Sequence, residues 1–157
     1  MNLTQVLLLY GGESSEHEVS LKSAHNVYAA LDNEKYQVTL VYINRDGKWW
    51  LSNGIDRSHI GQPQVLPAMG QKQFVTLPGN GVLRADVVLP VLHGRLGEDG
   101  TVQGLCELLH IPYVGPRLIS AAVTMDKDMT KRLLRDAGIP VVPWRVWDIH
   151  AARPTYA

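Results

Sequence analysis

Two stretches of the chain gather the residue types that do chemistry. They are Gly11-Gly12-Glu13-Ser14-Ser15-Glu16-His17-Glu18 and His93-Gly94-Arg95-Leu96-Gly97-Glu98-Asp99-Gly100. Glycines let a backbone turn sharply and let a ligand come close. A helix that follows such a loop offers unpaired amide groups and the positive end of its dipole, which suit a carboxylate or a phosphate. In the first stretch Glu16 can hold an ammonium group. In the second, His93 can donate a hydrogen bond or relay a proton near neutral pH. A carboxylate and an imidazole on adjacent loop tips would grip the two ends of an amino acid. Plainer roles stand beside these. Ser15-x-x-Glu18 has the form of a capping box, with Glu18 as a helix cap. Asp99 or Thr101 caps the helix after the second loop. For His93 the residues alone leave ligand contact and a structural hydrogen bond equally open.

Other chemistries are poorly supplied. Gly11-Gly12-Glu13 is not the G-x-G-x-x-G of a dinucleotide site, and no acidic residue closes the second strand to hold a ribose, which argues against an oxidoreductase domain. Neither loop carries the Gly-Lys-Ser/Thr of a P-loop. No Cys/His cluster has zinc spacing, and no serine sits in a G-x-S-x-G elbow. Trp49-Trp50 and Trp144/Trp147 read as strand packing rather than a base-stacking platform. Lysine plus arginine number 15, as do aspartate plus glutamate, so no net charge draws the chain to nucleic acid or to a membrane surface. The single cysteine, Cys106, excludes an internal disulfide and reads as a small buried hydrophobe in a helix. The first residues lack a basic region, and Val6–Tyr10 is too short for a signal core or a membrane span, so a soluble, cytoplasmic protein is expected.

The elements that must position these loops follow from periodicity. Val6 to Tyr10 is a continuous apolar run, as in a strand buried on both faces. Val19, Ser23, Val27 and Leu31 then recur at helical spacing up to about Asp32-Asn33. Val38 to Ile43 is a second strand, so the chain opens as a βαβ unit with a right-handed crossover. Asn44-Arg45-Asp46-Gly47 is a turn, and Lys48 to Leu51 its return strand. Ser52 to Gln71 reads as an irregular surface excursion. Gln73–Leu77 and Gly81–Arg84 form a small hairpin. Asp86 to Leu92 is a strand, Thr101 to His110 a helix, and Ile111 to Val114 a short strand. Leu118–Met125 and Lys127–Ala137 are helices with a break near Asp126, and Gly138 is a helix stop. Ile139 to Trp147 contains Pro140 and Pro143 and fits an edge strand or linker. The fold class is therefore α/β: an open, mostly parallel sheet with flanking helices. Its ligands belong at the carboxyl ends of the strands, where both loops emerge.

Gly11 to Ser20 resembles the opening signature of the D-alanine–D-alanine ligases, members of the ATP-grasp enzymes. His93 to Gly104 resembles their second signature, and Pro112-Tyr113-Val114-Gly115 and Met125-Asp126-Lys127 follow in the same order. The resemblance covers essentially the whole chain and is loosest over Ser52–Arg84. It implies a Rossmann-like pre-ATP-grasp domain over residues 1–138 and the beginning of the central ATP-grasp domain over 139–157. It also implies ligation of two D-alanines to D-alanyl-D-alanine through an acyl phosphate, for peptidoglycan synthesis, with ATP and Mg2+ as cofactors and a homodimer as the intact enzyme. By the same resemblance Glu16 holds the ammonium of the first D-alanine, His93 lies near that substrate, and Lys127 reaches the ATP phosphates. Val19, Ser20 and Gly94 are neighbours of the substrate. The family's magnesium ligands and the arginine that stabilises the acyl phosphate are expected beyond Ala157. On that expectation the chain alone forms no dipeptide, because phosphoryl transfer relies almost wholly on positioning and electrostatics. Two alternatives remain open at this point: a non-catalytic α/β amino-acid-binding module, and a ligase making D-alanyl-D-lactate or D-alanyl-D-serine.

Overall fold

The structure is a computed structural model that describes residues 2–55, 59–148 and 150. Its strands are β1 (Thr4–Gly11), β2 (Tyr36–Ile43), β3 (Trp49–Ser52), β4 (Gln64–Ala68), β5 (Gln73–Leu77), β6 (Gly81–Leu83) and β7 (Val87–Leu92). Its helices are α1 (His17–Ala30), α2 (Thr101–Leu109), α3 (Leu118–Met125) and α4 (Lys127–Asp136). The strands form one sheet in the order β6-β5-β4-β3-β2-β1-β7.

The apolar run of β1 is explained by its place. It lies between β2 and β7, parallel to both, and helices cover both faces, so alternate residues enter two different cores. Leu7 and Leu9 point to one face with Val41, Val88 and the α2 residues Val102, Cys106 and Leu109. Leu8 and Tyr10 point to the other with Leu40, Tyr42 and the α1 residues Leu21 and Ala24.

The parallel part ends at β2. Strands β3 to β6 then run as an antiparallel meander, which makes the sheet mixed rather than mostly parallel. Part of that meander lies in the stretch expected to be an irregular excursion. There β4 pairs with β5 over its whole length, and Val65 is fully buried with Phe74 in the core. Pro63, Pro67 and Gly61 conceal the alternation in the sequence, but one inward valine is enough to seat the strand between β3 and β5. Trp49 stacks on Phe74 with ring centroids 6.0 Å apart, as expected of strand packing.

Two further expectations change. Ile111–Val114 forms no strand of its own; it contributes a parallel bridge between Tyr113 and Val88. The Val88 amide donates to Pro112 O at 2.8 Å and the Val114 amide to Val88 O at 2.9 Å. Pro112 has no amide to extend the ladder and Gly115, at φ +138°, turns the chain away. Residues 139–148 contain neither helix nor strand, and Trp144 does not pack in a sheet. Its indole Nε1 donates to Asp128 Oδ1 at 2.6 Å, with Lys131 and Arg135 over the ring. Trp147 is likewise outside any strand. Residues 151–157, which the expected second domain would include, lie outside the described residues. Among the described residues no helix is long and apolar enough to cross a membrane.

Candidate functional site

The first loop begins where β1 runs out of room for side chains. Gly11 has φ +93°, and a Cβ there would lie 2.2 Å from the carbonyl oxygen of Ile43, so only glycine fits. Three groups hold the turn from behind. The Gly12 amide donates to Ile43 O at 2.8 Å. His17, 1% exposed, places Nδ1 2.5 Å from Gly12 O and Nε2 3.2 Å from the Tyr42 hydroxyl. Ser20 accepts from the Gly11 amide at 2.8 Å and donates to Val91 O, joining the ends of β1 and β7. Ser20 is thus placed under the loop as a support, while Val19, on the same turn, is exposed.

The expected capping box does not form. The N-cap of α1 is Glu16, and no side chain caps it. Ser14, not Ser15, uses its hydroxyl, accepting from the Glu16 amide at 3.1 Å and donating to His93 O at 2.6 Å. That second bond ties the first loop to the second. Glu18 pairs instead with Arg45 at 3.0 Å, both side chains about half exposed, a contact worth little in water.

The second loop is closed by its own carboxylates. Glu98 Oε2 accepts from the Gly94 amide at 2.7 Å, while its Oε1 stands 3.8 Å from His93 Nδ1. Asp99 accepts from the Leu96 amide at 2.9 Å and the Thr101 amide at 3.0 Å. Asp99 therefore serves the first amide of α2 as expected, although the N-cap position itself is Gly100. Burial pushes the Asp99 carboxyl up, but the hydrogen bonds from Leu96 and Thr101 outweigh it and hold it below the usual carboxylate range.

The two loops meet at Gly94. It has φ +72°, and a Cβ added there would lie 2.5 Å from Glu16 Oε2 and 3.3 Å from Ser14. Glu16, His93 and Gly94 are therefore brought together, as the sequence suggested. Glu16 makes no ion pair or hydrogen bond through its carboxylate among the described residues, so its charge is available to a ligand. Lys127 stands beyond the second loop, in a cleft of about 410 Å³ that it shares with Glu98, Gln103 and Thr124. Among the described residues its ammonium makes one hydrogen bond, to Thr124 O at 3.4 Å. Asp126 Oδ1 takes the Asp128 and Met129 amides of α4, and Lys127 makes no ion pair among the described residues. No group of His, Cys, Asp and Glu side chains able to hold a metal converges among the described residues.

Ser14, His17 and Glu98 are the site-building residues that sequence reasoning missed. Ser14 and His17 lay inside the quoted loop, but their partners are 79 residues away and on the interior strand β2 respectively. Only the structure pairs them.

The chain has clear relatives. The family description "D-ala D-ala ligase N-terminus" matches residues 5–116. The D-alanine–D-alanine ligase of Proteus mirabilis is 42% identical over 158 residues, covering 92% of this chain and 43% of that protein. Among solved structures, the D-alanine-D-alanine ligase from Coxiella burnetii superposes with a TM-score of 0.87 at 37% identity, covering 97% of this chain and 46% of that one. The VanG D-Ala:D-Ser ligase from Enterococcus faecalis does so with a TM-score of 0.82 at 34% identity, covering 89% and 43%. The chain thus spans less than half the length of these relatives. The family signature covers most of the chain, including both loops, and the fold agrees with that of the solved ligases; on these grounds the chain belongs to the D-alanine–D-alanine ligase amino-terminal family.

Proposed function

We propose that this chain supplies the first amino-acid site of a ligase that joins two D-alanines for peptidoglycan synthesis. The observation that carries this reading is the Glu16 carboxylate, unpaired and packed over Gly94 between the two crosslinked loops. An ammonium group entering there meets a fixed negative charge, and the adjoining His93 offers a donor to the carboxylate of the same small molecule. Ser14, Ser20 and His17 fix the loops in advance, so little ordering is left to do on binding. ATP and Mg2+ belong to the proposal as well. ATP when bound supplies the phosphoryl group that activates the substrate carboxylate, and Lys127 would meet its phosphate charge from across the cleft. What this chain does in that reaction is bind, orient and present the carboxylate. The second-substrate pocket is not assigned to these residues.

Calorimetry tests the reading. D-alanine binds the chain, L-alanine binds less well, and Glu16→Gln lowers D-alanine affinity at least about tenfold, roughly 1.4 kcal/mol. Equal binding of D-alanine by wild type and Glu16→Gln would overturn it.

A further inference from the structure

His93 is gripped by a residue that no part of the reading above employs. Ser23, in the second turn of α1, places Oγ 2.9 Å from His93 Nε2. Among the described residues that hydroxyl has no other hydrogen-bond partner. The other ring nitrogen, Nδ1, faces Glu98 Oε1 at 3.8 Å, beyond hydrogen-bond length. The ring is about one-third exposed.

We propose that Ser23 is a positioning residue that sets the tautomer of His93 and so decides which edge of the imidazole meets a ligand. A carboxylate accepts only, whereas a hydroxyl donates or accepts. The arrangement of lowest energy therefore places the proton of the neutral ring on Nδ1, towards Glu98, with the Ser23 hydroxyl donating to the Nε2 lone pair. Free imidazole side chains favour the opposite tautomer, so the state is one the protein imposes. Nε2 is then committed to α1. The Nδ1–H group, 3.8 Å from Glu98 Oε1, remains free to turn onto an incoming carboxylate. Glu98 is anchored to the Gly94 amide, and Gly94 touches Glu16, so this edge of the ring lies on the side of the proposed ammonium site. The inference rests on the Glu16 reading for its functional meaning but not for its geometry.

The order serine, imidazole, carboxylate also occurs in hydrolases, but here it cannot activate a nucleophile. Ser23 lies inside α1, whose amides bond to its own carbonyls, so no pair of donors faces Oγ to stabilise an oxyanion.

Nitrogen NMR of the 157-residue chain, labelled at the histidine rings, tests this. His93 is assigned by comparison with His93→Gln. At a pH where the ring is neutral, wild type carries the proton on Nδ1. Ser23→Ala shifts the population to Nε2–H, and Ser23→Thr, which keeps the hydroxyl, restores Nδ1–H. The amide spectrum away from the loops stays unchanged in both variants. D-alanine affinity falls about tenfold in Ser23→Ala and returns in Ser23→Thr. A wild-type ring protonated at Nε2, ring signals unmoved by Ser23→Ala, or labelling of Ser23 by a fluorophosphonate overturns the proposal. If wild type binds no D-alanine while the tautomer behaves as described, the Glu16 reading fails and the Ser23 assignment stands.

Discussion

At the scale of single residues, the site depends as much on missing atoms as on charged ones. Gly94 combines a left-handed φ with a Cβ position 2.5 Å from the Glu16 carboxylate. Gly94→Ala therefore has two separable effects. The backbone strain costs about 1 kcal/mol or more in denaturant unfolding. The new methyl group also displaces Glu16, so D-alanine affinity falls well beyond what that strain explains. If affinity is retained while stability drops, Glu16 does not work from the position seen here. Ser14 and Ser20 act in the same spirit, since each spends its hydroxyl on backbone groups of both loops or strand ends. They give the charged residues a fixed address.

At the scale of elements, α4 is held to the segment that follows it by Asp128, which takes the Trp144 indole, with the Lys131 ammonium donating to Val142 O beside it. The Trp144 indole and the Arg132 guanidinium both donate to Asp128 and hold its carboxyl below the usual range, the indole bond contributing most. An unfolded chain has that carboxyl near a pKa of about 4 and binds the proton more readily than the folded one. The latch is thus fully present above about pH 4 and is lost as pH falls through the lower folded value. Acid titration followed by tryptophan emission should show this transition in wild type and not in Trp144→Phe. Elements of this kind vary in how plainly the sequence announces them. Helices α1 to α4 and strands β1, β2 and β7 declare themselves by period, because each buries one stripe or two full faces. Strand β4 does not, since two prolines and a single buried valine carry too little pattern. The loops were legible as loops, and the sequence placed Glu16, His93 and Gly94 on them, where the structure sets Glu16 against Gly94. Their supports were not, because Ser14, Ser20 and Ser23 bond across 70 or more residues of sequence or into a neighbouring strand end. Local cues led to Ser15 as a cap when the hydroxyl that mattered was its neighbour's.

At the scale of the whole molecule, two cores share one central strand, so the protein should open as a unit where β1 is concerned. Cys106 reports on that opening. It is 1% exposed, and burial together with the nearby Glu107 charge pushes its thiol up to about 11. At about pH 8 it is therefore neutral as well as hidden. Reaction with a disulfide reagent should be far slower than for the unfolded chain and should quicken in step with added denaturant; immediate reaction in the native state would contradict the packing described. The antiparallel meander has a different bearing. Both glycine-rich loops leave the β1–β7 side, whereas the exposed β5–β6 turn at Pro78–Asn80 lies at the far end of the strand order, about 20–25 Å away by strand spacing. That turn is a natural handle: a tag, a dye or a short peptide spliced between Gly79 and Asn80 should leave D-alanine affinity unaltered, which makes the loosest stretch of the family resemblance the safest place to rewrite it.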